Sequence, residues 1–134
     1  MTAPLSASAT VLVVDDDDFS QEILCAMLRA HGVTEIQSAR NGSQALSLMA
    51  DQERAHEFLI CDIFMPDMDG IEFVGHLATL GYAGGVILVS GGSVEMLAIA
   101  KTLAKKNGLK VLAALTKPMP FEALAQAMKG DLLE

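Results

Sequence analysis

The sequence is poor in basic residues, in cysteine and in long apolar runs, and each shortage argues against a class of protein. Nine Lys and Arg stand against 17 Asp and Glu, a formal net charge of −8 in 134 residues. We therefore expect no direct binding to nucleic acid or to an anionic membrane. No apolar run reaches the roughly 18 residues of a membrane span. The first ten residues contain no Lys or Arg, so we expect no secretory signal.

Cysteine is limited to Cys25 and Cys61, at a spacing that suits neither zinc nor redox chemistry. Two isolated cysteines are typical of a reduced, cytoplasmic protein rather than a disulfide scaffold, and we expect both thiols in the core. Apolar residues, in contrast, make up 51% of the chain. That fraction and the length together predict one globular domain.

Short apolar runs alternate with segments of helical periodicity. Each helical segment carries apolar residues about one helical turn apart, as in Ile23, Leu24, Met27 and Leu28, which form one stripe with Asp18 as the N-cap. A weaker strand is predicted at 35–39. Four stronger runs lack the alternation of a half-exposed strand, which predicts strands covered on both faces: 11–14, 58–61, 86–89 and 111–115.

The resulting order is strand then helix, five times over. Because crossovers between parallel strands are right-handed, we predict a doubly wound α/β fold with a five-stranded parallel sheet in the order 2-1-3-4-5. We interpret residues 1–10 as a flexible lead, 11–129 as the domain, and 130–134 as a tail or the start of a linker.

Chemically active side chains follow four of these strands. Asp15 and Asp16 follow the first strand, Asp62 the third, Ser90 the fourth and Lys117 the fifth. In an open parallel sheet, function gathers beyond the carboxyl ends of the strands. Adjacent carboxylates repel one another, and a hard cation such as Mg²⁺ relieves the repulsion. Together with the ammonium of Lys117 and the hydroxyl of Ser90, these carboxylates are typical of an aspartyl-phosphate site.

These residues and their neighbours resemble the receiver domain of response regulators in two-component signalling. The resemblance covers residues 11–128, nearly the whole chain, and implies a CheY-like fold. Any one of its motifs is weak alone, but four stand in order at strand ends: VLVVDD at 11–16, DIFMPDMDG at 62–70, VSG at 89–91 and KP at 117–118.

The resemblance implies a phosphoacceptor and its metal ligands. By it, Asp62 accepts a phosphoryl group from a phosphohistidine on a sensor histidine kinase or a phosphotransfer protein. Asp15 and Asp16 are the acidic pair that holds Mg²⁺ together with Asp62, and Asp16 is the better candidate for direct ligation. The backbone carbonyl of Phe64 is the remaining protein ligand, and its ring would shield the phosphoryl group from water. The domain is then a phosphoacceptor and not an enzyme.

The resemblance also implies a switch. Ser90 supplies the hydroxyl that moves onto the phosphoryl group, and Lys117 pairs with a phosphoryl oxygen. These movements would change the surface formed by the fourth helix, fifth strand and fifth helix. That surface would meet an output domain, a partner protein or a second copy of the chain. Receivers usually carry an aromatic residue three positions before the lysine, where this sequence has Ala114. Switching that depends on a moving ring is therefore in question.

The spacing between Ser90 and Lys117 is also unusual. The 27 positions (117 − 90) are several more than usual, and the extra length falls at 101–108. This pattern looks like receivers fused to cyclic-di-GMP phosphodiesterase (EAL) domains, so the chain would be the excised head of a longer protein. The lysines of this region form either a solvated helix face or a partner surface: Lys101, Lys105 and Lys106.

Two other functions stay open at this point. The first is a metal-dependent phosphatase with an aspartate nucleophile, although the sequence after Asp15 has Phe19 where such enzymes have Thr. The second is a degenerate receiver that acts as an unphosphorylated interaction module, which Ala114 would favour. The remaining acidic residues near the site are interpreted as turn and capping residues: Asp17, Asp18, Asp67 and Asp69.

Overall fold

A computed structural model describes residues 9–50, 56–65, 68–92, 94–117 and 120–133. Strands and helices alternate throughout, as the sequence predicts. In chain order they are β1 (Thr10–Val14), α1 (Asp18–Ala30), β2 (Glu35–Ala39), α2 (Gly42–Ala50), β3 (Phe58–Asp62), α3 (Gly70–Leu80), β4 (Gly85–Ser90), α4 (Val94–Lys106), β5 (Lys110–Thr116) and α5 (Phe121–Leu133).

The strands form one parallel sheet in the order β2-β1-β3-β4-β5, which confirms the predicted fold. In the register, Val14 lies beside Cys61 and Asp62 beside Val89, so β1, β3 and β4 end at the same edge. Because β1 and β3 are direct neighbours, the acidic residues that follow them meet at that edge.

Helices cover both faces of the sheet. On one face α2, α3 and α4 bury apolar residues against the strands, among them Phe73 and Leu97. On the other face α1 and α5 do the same with Leu28 and Met128. β1, β3 and β4 are buried almost throughout. Among the described residues no helix is long and apolar enough to cross a bilayer.

The prediction that all four strong strands are covered on both faces holds only in part for β5. Val111 and Ala114 pack against the core on one face and Leu112, Ala113 and Leu115 against the core on the other, but all five are only partly buried. β5 is an edge strand that pairs with β4 alone, which leaves it less covered than the inner strands.

Helix α1 differs from the prediction in its cap and in its buried face. Asp17, not Asp18, is the N-cap, and its carboxylate accepts the backbone N–H of Phe19 at 3.2 Å. The predicted stripe is buried at Leu28, but Ile23 and Met27 are 39% and 38% exposed. They line an open cavity beside the sheet edge.

The chain boundaries and the cysteines can also be compared with the prediction. β1 begins at Thr10, one residue before the predicted run, and Ala9 is already buried. The rest of the predicted lead, residues 1–8, lies outside the described residues. Cys25 and Cys61 are buried free thiols, as expected. Burial above all, and then the charge of Asp62, raises the pKa of the Cys61 thiol, which makes it inert.

Gly70 starts α3 at a close approach to the loop that follows Asp62. A Cβ at this position would lie 2.5 Å from Cβ and 2.7 Å from Cα of Ile63. We expect Gly70→Ala to lower the free energy of unfolding by about 2 kcal/mol, because the backbone on one side must shift. Chemical denaturation measures this.

A matched control is available in the same helix. Gly75 is exposed and has no atom within 4 Å of an added Cβ. Gly75→Ala should therefore stabilise the protein, by about 0.5 kcal/mol, through helix propensity. Equal effects of the two substitutions would show that the contact between Gly70 and Ile63 is unimportant.

Candidate functional site

Three carboxylates meet at the carboxyl edge of the sheet. Asp15 and Asp16 follow β1 and Asp62 ends β3, and one oxygen of each lies within 4.8 Å of the others. Asp15 and Asp62 are 5% and 8% exposed, whereas Asp16 is exposed to solvent. The structure thus brings together the acidic residues that the sequence predicts as one group.

Backbone hydrogen bonds hold Asp15 in place. Its N–H donates to the carbonyl of Ala39 at the end of β2 (3.0 Å), and its Oδ1 accepts the N–H of Asp17 (2.9 Å). The side-chain amide of Gln21 donates to the carbonyls of Asp15 (3.3 Å) and Ala39 (2.8 Å). The loop is therefore tied to β2 and to α1 at once.

Sequence reasoning missed this role of Gln21. The contact depends on β2 lying beside β1, and Ala39 is 18 residues further along the chain. No local signal in the sequence could have shown it.

Asp62 is fixed in a similar way. Its Oδ1 accepts the N–H of Phe64 at 2.9 Å, and the N–H of Ile63 donates to the carbonyl of Val89 at 3.0 Å. The predicted ligand Phe64 therefore lies in the loop directly beside Asp62. The neighbouring turn residues Pro66 and Asp67 lie outside the described residues.

Lys117 bridges the two buried carboxylates. Its Nζ donates to Oδ2 of Asp15 at 2.8 Å and to Oδ2 of Asp62 at 2.9 Å. Burial lowers the pKa of the Lys117 ammonium, but the hydrogen bonds and charges of Asp15 and Asp62 outweigh it and raise the pKa overall. One ammonium thus faces three carboxylates, and the site carries excess negative charge. Pro118, which follows, lies outside the described residues.

Ser90 ends β4 beside this group and is 1% exposed. Its Oγ accepts the N–H of Gly92 at 3.2 Å, and its carbonyl accepts the N–H of Lys117 at 2.8 Å. The ring of Phe64 lies over Gly92, 3.2 Å from where a Cβ would be, and is 43% exposed. The edge is thus lined by a hydroxyl, an ammonium, an aromatic ring and three carboxylates.

A cavity of about 550 Å³ opens from this edge along α1. Its floor is apolar, with Val13 and Ile60, and Ile23 forms part of its wall; Asp62 and Lys117 lie at its polar end. The acidic group is therefore open to a reactant from this side.

The arrangement suits cation binding and phosphoryl transfer. Carboxylate oxygens are the ligands of hard divalent cations, and the excess of two negative charges is what such an ion would offset. The described acidic group is therefore a potential metal site. The capping residue Asp69 does not belong to it, because its carboxylate accepts the N–H of Glu72 at 2.8 Å.

Comparison with known proteins agrees with this chemistry. The model of the response regulator receiver domain family matches residues 11–129. The chain is 36% identical over 122 residues to the transcriptional regulatory protein ZraR of Klebsiella oxytoca, covering 91% of this chain and 26% of that protein. It is 32% identical over 123 residues to a probable chemotaxis protein CheY of Rhizobium etli, covering 90% of this chain and 89% of that protein.

The fold is also found among solved structures. The chain resembles the crystal structure of the CheX-CheY-BeF3-Mg complex from Borrelia burgdorferi, with a TM-score of 0.78 and 22% identity over 94% of this chain and 90% of that chain. Of the two sequence relatives, the chain spans about a quarter of the length of ZraR and most of the length of the CheY protein.

The chain belongs to the response regulator receiver domain family, which confirms the resemblance seen in the sequence. Receiver domains of the CheY type are phosphoacceptors of two-component systems rather than enzymes, and the acidic group at the sheet edge fits a phosphorylation site. A phosphatase and a degenerate module are not favoured. Membership also implies interaction with histidine kinases or phosphotransfer proteins.

Proposed function

We propose that Asp62 is the residue phosphorylated in this receiver. One observation carries the proposal: the Asp62 carboxylate lies within 4.8 Å of two other carboxylates and 2.9 Å from the ammonium of Lys117. A nucleophilic carboxylate needs a positive group that offsets the charge of the phosphoryl group, and it needs access to the phosphodonor. The Lys117 ammonium beside Asp62 is such a positive group, and the cavity that opens beside Asp62 gives the access.

Mg²⁺ is the cation that this site suits best. Asp16 and Asp62 would hold it directly, with the Phe64 carbonyl as a further ligand and Asp15 beside them. Of the acidic pair, Asp16 is the better placed for direct ligation, because its carboxylate is exposed whereas that of Asp15 is buried against Lys117. When bound, Mg²⁺ offsets the charge on the transferring phosphoryl group.

In the transfer step, a carboxylate oxygen of Asp62 attacks the phosphorus of a phosphohistidine. The new O–P bond forms as the N–P bond breaks, and the imidazole leaves with the electron pair and takes up a proton. The product carries about two negative charges and three acceptor oxygens. Lys117, already 2.9 Å from Asp62, pairs with one of these oxygens, and the Phe64 ring limits the approach of water.

The same step gives the signal. In the unphosphorylated protein the Ser90 Oγ accepts the N–H of Gly92, and a phosphoryl oxygen gives its hydroxyl a new acceptor. This difference between the two states biases the conformational equilibrium. Ala114 provides no ring to follow the hydroxyl, so we propose that the change reaches β5 and α4 through the backbone bond from Lys117 to Ser90.

The phosphodonor is a cytoplasmic sensor histidine kinase or phosphotransfer protein. An exposed apolar stripe on α1 borders the cavity and supports docking there: Phe19 is 69% exposed, Ile23 39% and Met27 38%. The signal would pass to an output through the surface formed by α4, β5 and α5. That output is either a partner protein or a fused domain, and the spacing from Ser90 to Lys117 favours a fused domain of the EAL type. A homodimer would use the α4–β5–α5 surface as well.

Labelling by a small phosphodonor tests the proposal. With acetyl phosphate and Mg²⁺, intact-protein mass spectrometry should show one phosphoryl group per chain, and chelation of the metal should prevent labelling. A protein that stays unlabelled with Mg²⁺ would be the degenerate module. Sustained hydrolysis of a generic phosphate ester would instead identify a phosphatase.

A further inference from the structure

The side chain of Gln21 is bonded to the peptide group that joins Asp15 to Asp16. Its Nε2 donates to the carbonyl of Asp15 at 3.3 Å and to the carbonyl of Ala39 at 2.8 Å. The carbonyl of Asp15 and the N–H of Asp16 belong to one planar group. The Gln21 amide therefore restrains the backbone between two members of the acidic group.

Asp16 is the member of that group whose carboxylate has the least support. It is exposed, and within the described part of the chain it takes part in no hydrogen bond or ion pair. Asp15 and Asp62 are buried, and both accept a hydrogen bond from the ammonium of Lys117. The position of the Asp16 carboxylate thus depends on its backbone, which is the part of the loop that Gln21 restrains.

Gln21 is itself held by the elements around it. Its backbone N–H donates to the carbonyl of Asp17 at 3.0 Å, in the first turn of α1. The Ala39 carbonyl that its side chain contacts also accepts the N–H of Asp15 at 3.0 Å. The side-chain amide thus connects α1, the end of β2 and the loop after β1, which leaves that loop little freedom to rearrange around a cation.

This restraint is separate from the surface that would receive a phosphodonor. Gln21 is uncharged and is not among the described residues that line the cavity at the sheet edge. It also lies outside the exposed stripe of Phe19, Ile23 and Met27. An effect of Gln21 on the site would therefore act through the geometry of the ligands, and not through charge or through docking.

We propose that Gln21 is a positioning residue that adapts the acidic group to Mg²⁺. The inference rests on the magnesium site of the proposed function and adds the residue that sets its geometry. Mg²⁺ requires ligands close to octahedral positions, whereas Ca²⁺ accepts a more flexible arrangement. Hydrogen-bonded groups that orient metal ligands are commonly worth about 10- to 100-fold in metal affinity. By restraining the backbone of Asp16, Gln21 favours the ion that tolerates the least movement of its ligands.

Gln21→Met tests this role, because it keeps the length and the zero charge of the side chain and removes both donated hydrogen bonds. The whole chain, freed of metal with a chelator and without phosphodonor, is titrated with MgCl₂ or CaCl₂. The amide shift of Asp16 in NMR gives each dissociation constant. We expect the constant for Mg²⁺ to rise about tenfold and that for Ca²⁺ to rise less than about threefold.

Gln44→Met is the matched control. Gln44 lies on α2, and its Oε1 accepts the N–H of Arg40 at 2.7 Å, so the same substitution removes a bond from side chain to backbone outside the loop of Asp15 and Asp16. Both variants should lose about 4 °C in melting temperature. Gln44→Met should nevertheless change either dissociation constant by less than about twofold.

Gln21→Asn is a milder variant that serves if Gln21→Met does not fold. It keeps the amide but is one methylene shorter, so it cannot reach the carbonyls of Asp15 and Ala39 together. We expect it to lower the preference for Mg²⁺ over Ca²⁺ by about threefold.

The role of Gln21 is overturned if its variants weaken Mg²⁺ and Ca²⁺ binding equally, as a general destabilisation would, or if they change neither. It is also overturned if Gln44→Met lowers the preference for Mg²⁺ as much. In these cases the unmodified protein still binds Mg²⁺, and the magnesium site and the assignment of Asp62 stand. An unmodified protein that gave no saturable shifts with Mg²⁺ would instead contradict the magnesium site and, with it, the role of Gln21.

Discussion

Asp62→Asn should abolish phosphorylation of the protein. An amide cannot attack phosphorus as a carboxylate does, and it also removes one of the charges that would hold the cation. The substitution keeps the size of the side chain and an oxygen able to accept the N–H of Phe64, so the fold should persist. Intact-protein mass spectrometry after incubation with acetyl phosphate and Mg²⁺ measures the result.

The control for this experiment is Asp69→Asn. Asp69 is an acidic residue in the same loop region, but its carboxylate caps α3 by accepting the N–H of Glu72. Asn caps helices as well as Asp, so this variant should fold and be labelled like the unmodified protein. Labelling of Asp62→Asn at the unmodified level would mean that another residue is the phosphoacceptor.

Lys117→Met should destabilise the protein by about 2 kcal/mol in the absence of Mg²⁺. The substitution leaves Asp15 and Asp62, both largely buried, without their shared ammonium. Removing one partner of a fully buried ion pair lowers the free energy of unfolding by more than this value. The loss is smaller here because the Lys117 side chain is 25% exposed and water screens its charge. Mg²⁺ should restore part of the loss, because the cation offsets the same repulsion.

Thermal unfolding with and without Mg²⁺ checks this expectation, and Lys101→Met serves as its control. Lys101 is exposed on α4 and forms no ion pair in the described part of the chain, so its substitution should change stability by less than about 0.5 kcal/mol. If Lys117→Met were as stable as Lys101→Met without metal, the bridge between Asp15 and Asp62 would have no energetic role.

The convergence of the site residues could be predicted from the sequence, and its details could not. Asp15, Asp62 and Lys117 each follow a strong apolar run, and a parallel sheet necessarily brings such strand ends to one edge. The bond from Gln21 to Ala39 depends on which strand lies beside β1, which local periodicity does not report.

The errors in the predicted packing have a related cause. Helical spacing correctly placed Ile23 on one stripe with Leu28, but spacing does not show which part of the stripe the rest of the fold covers: Leu28 is buried and Ile23 is 39% exposed. The composition of β5 predicted a buried strand, and its position at the edge of the sheet leaves it half-buried. The switching role of Ser90 stays a prediction.

The most direct test of the central claim is a crystal structure of the protein with Mg²⁺ and beryllofluoride, which mimics a phosphoryl group on a carboxylate. We predict that beryllium is bonded to a carboxylate oxygen of Asp62 and that Mg²⁺ contacts Asp16, Asp62 and the carbonyl of Phe64. Lys117 should contact a fluorine. Beryllofluoride on another carboxylate, or Mg²⁺ held without Asp62, would contradict the account.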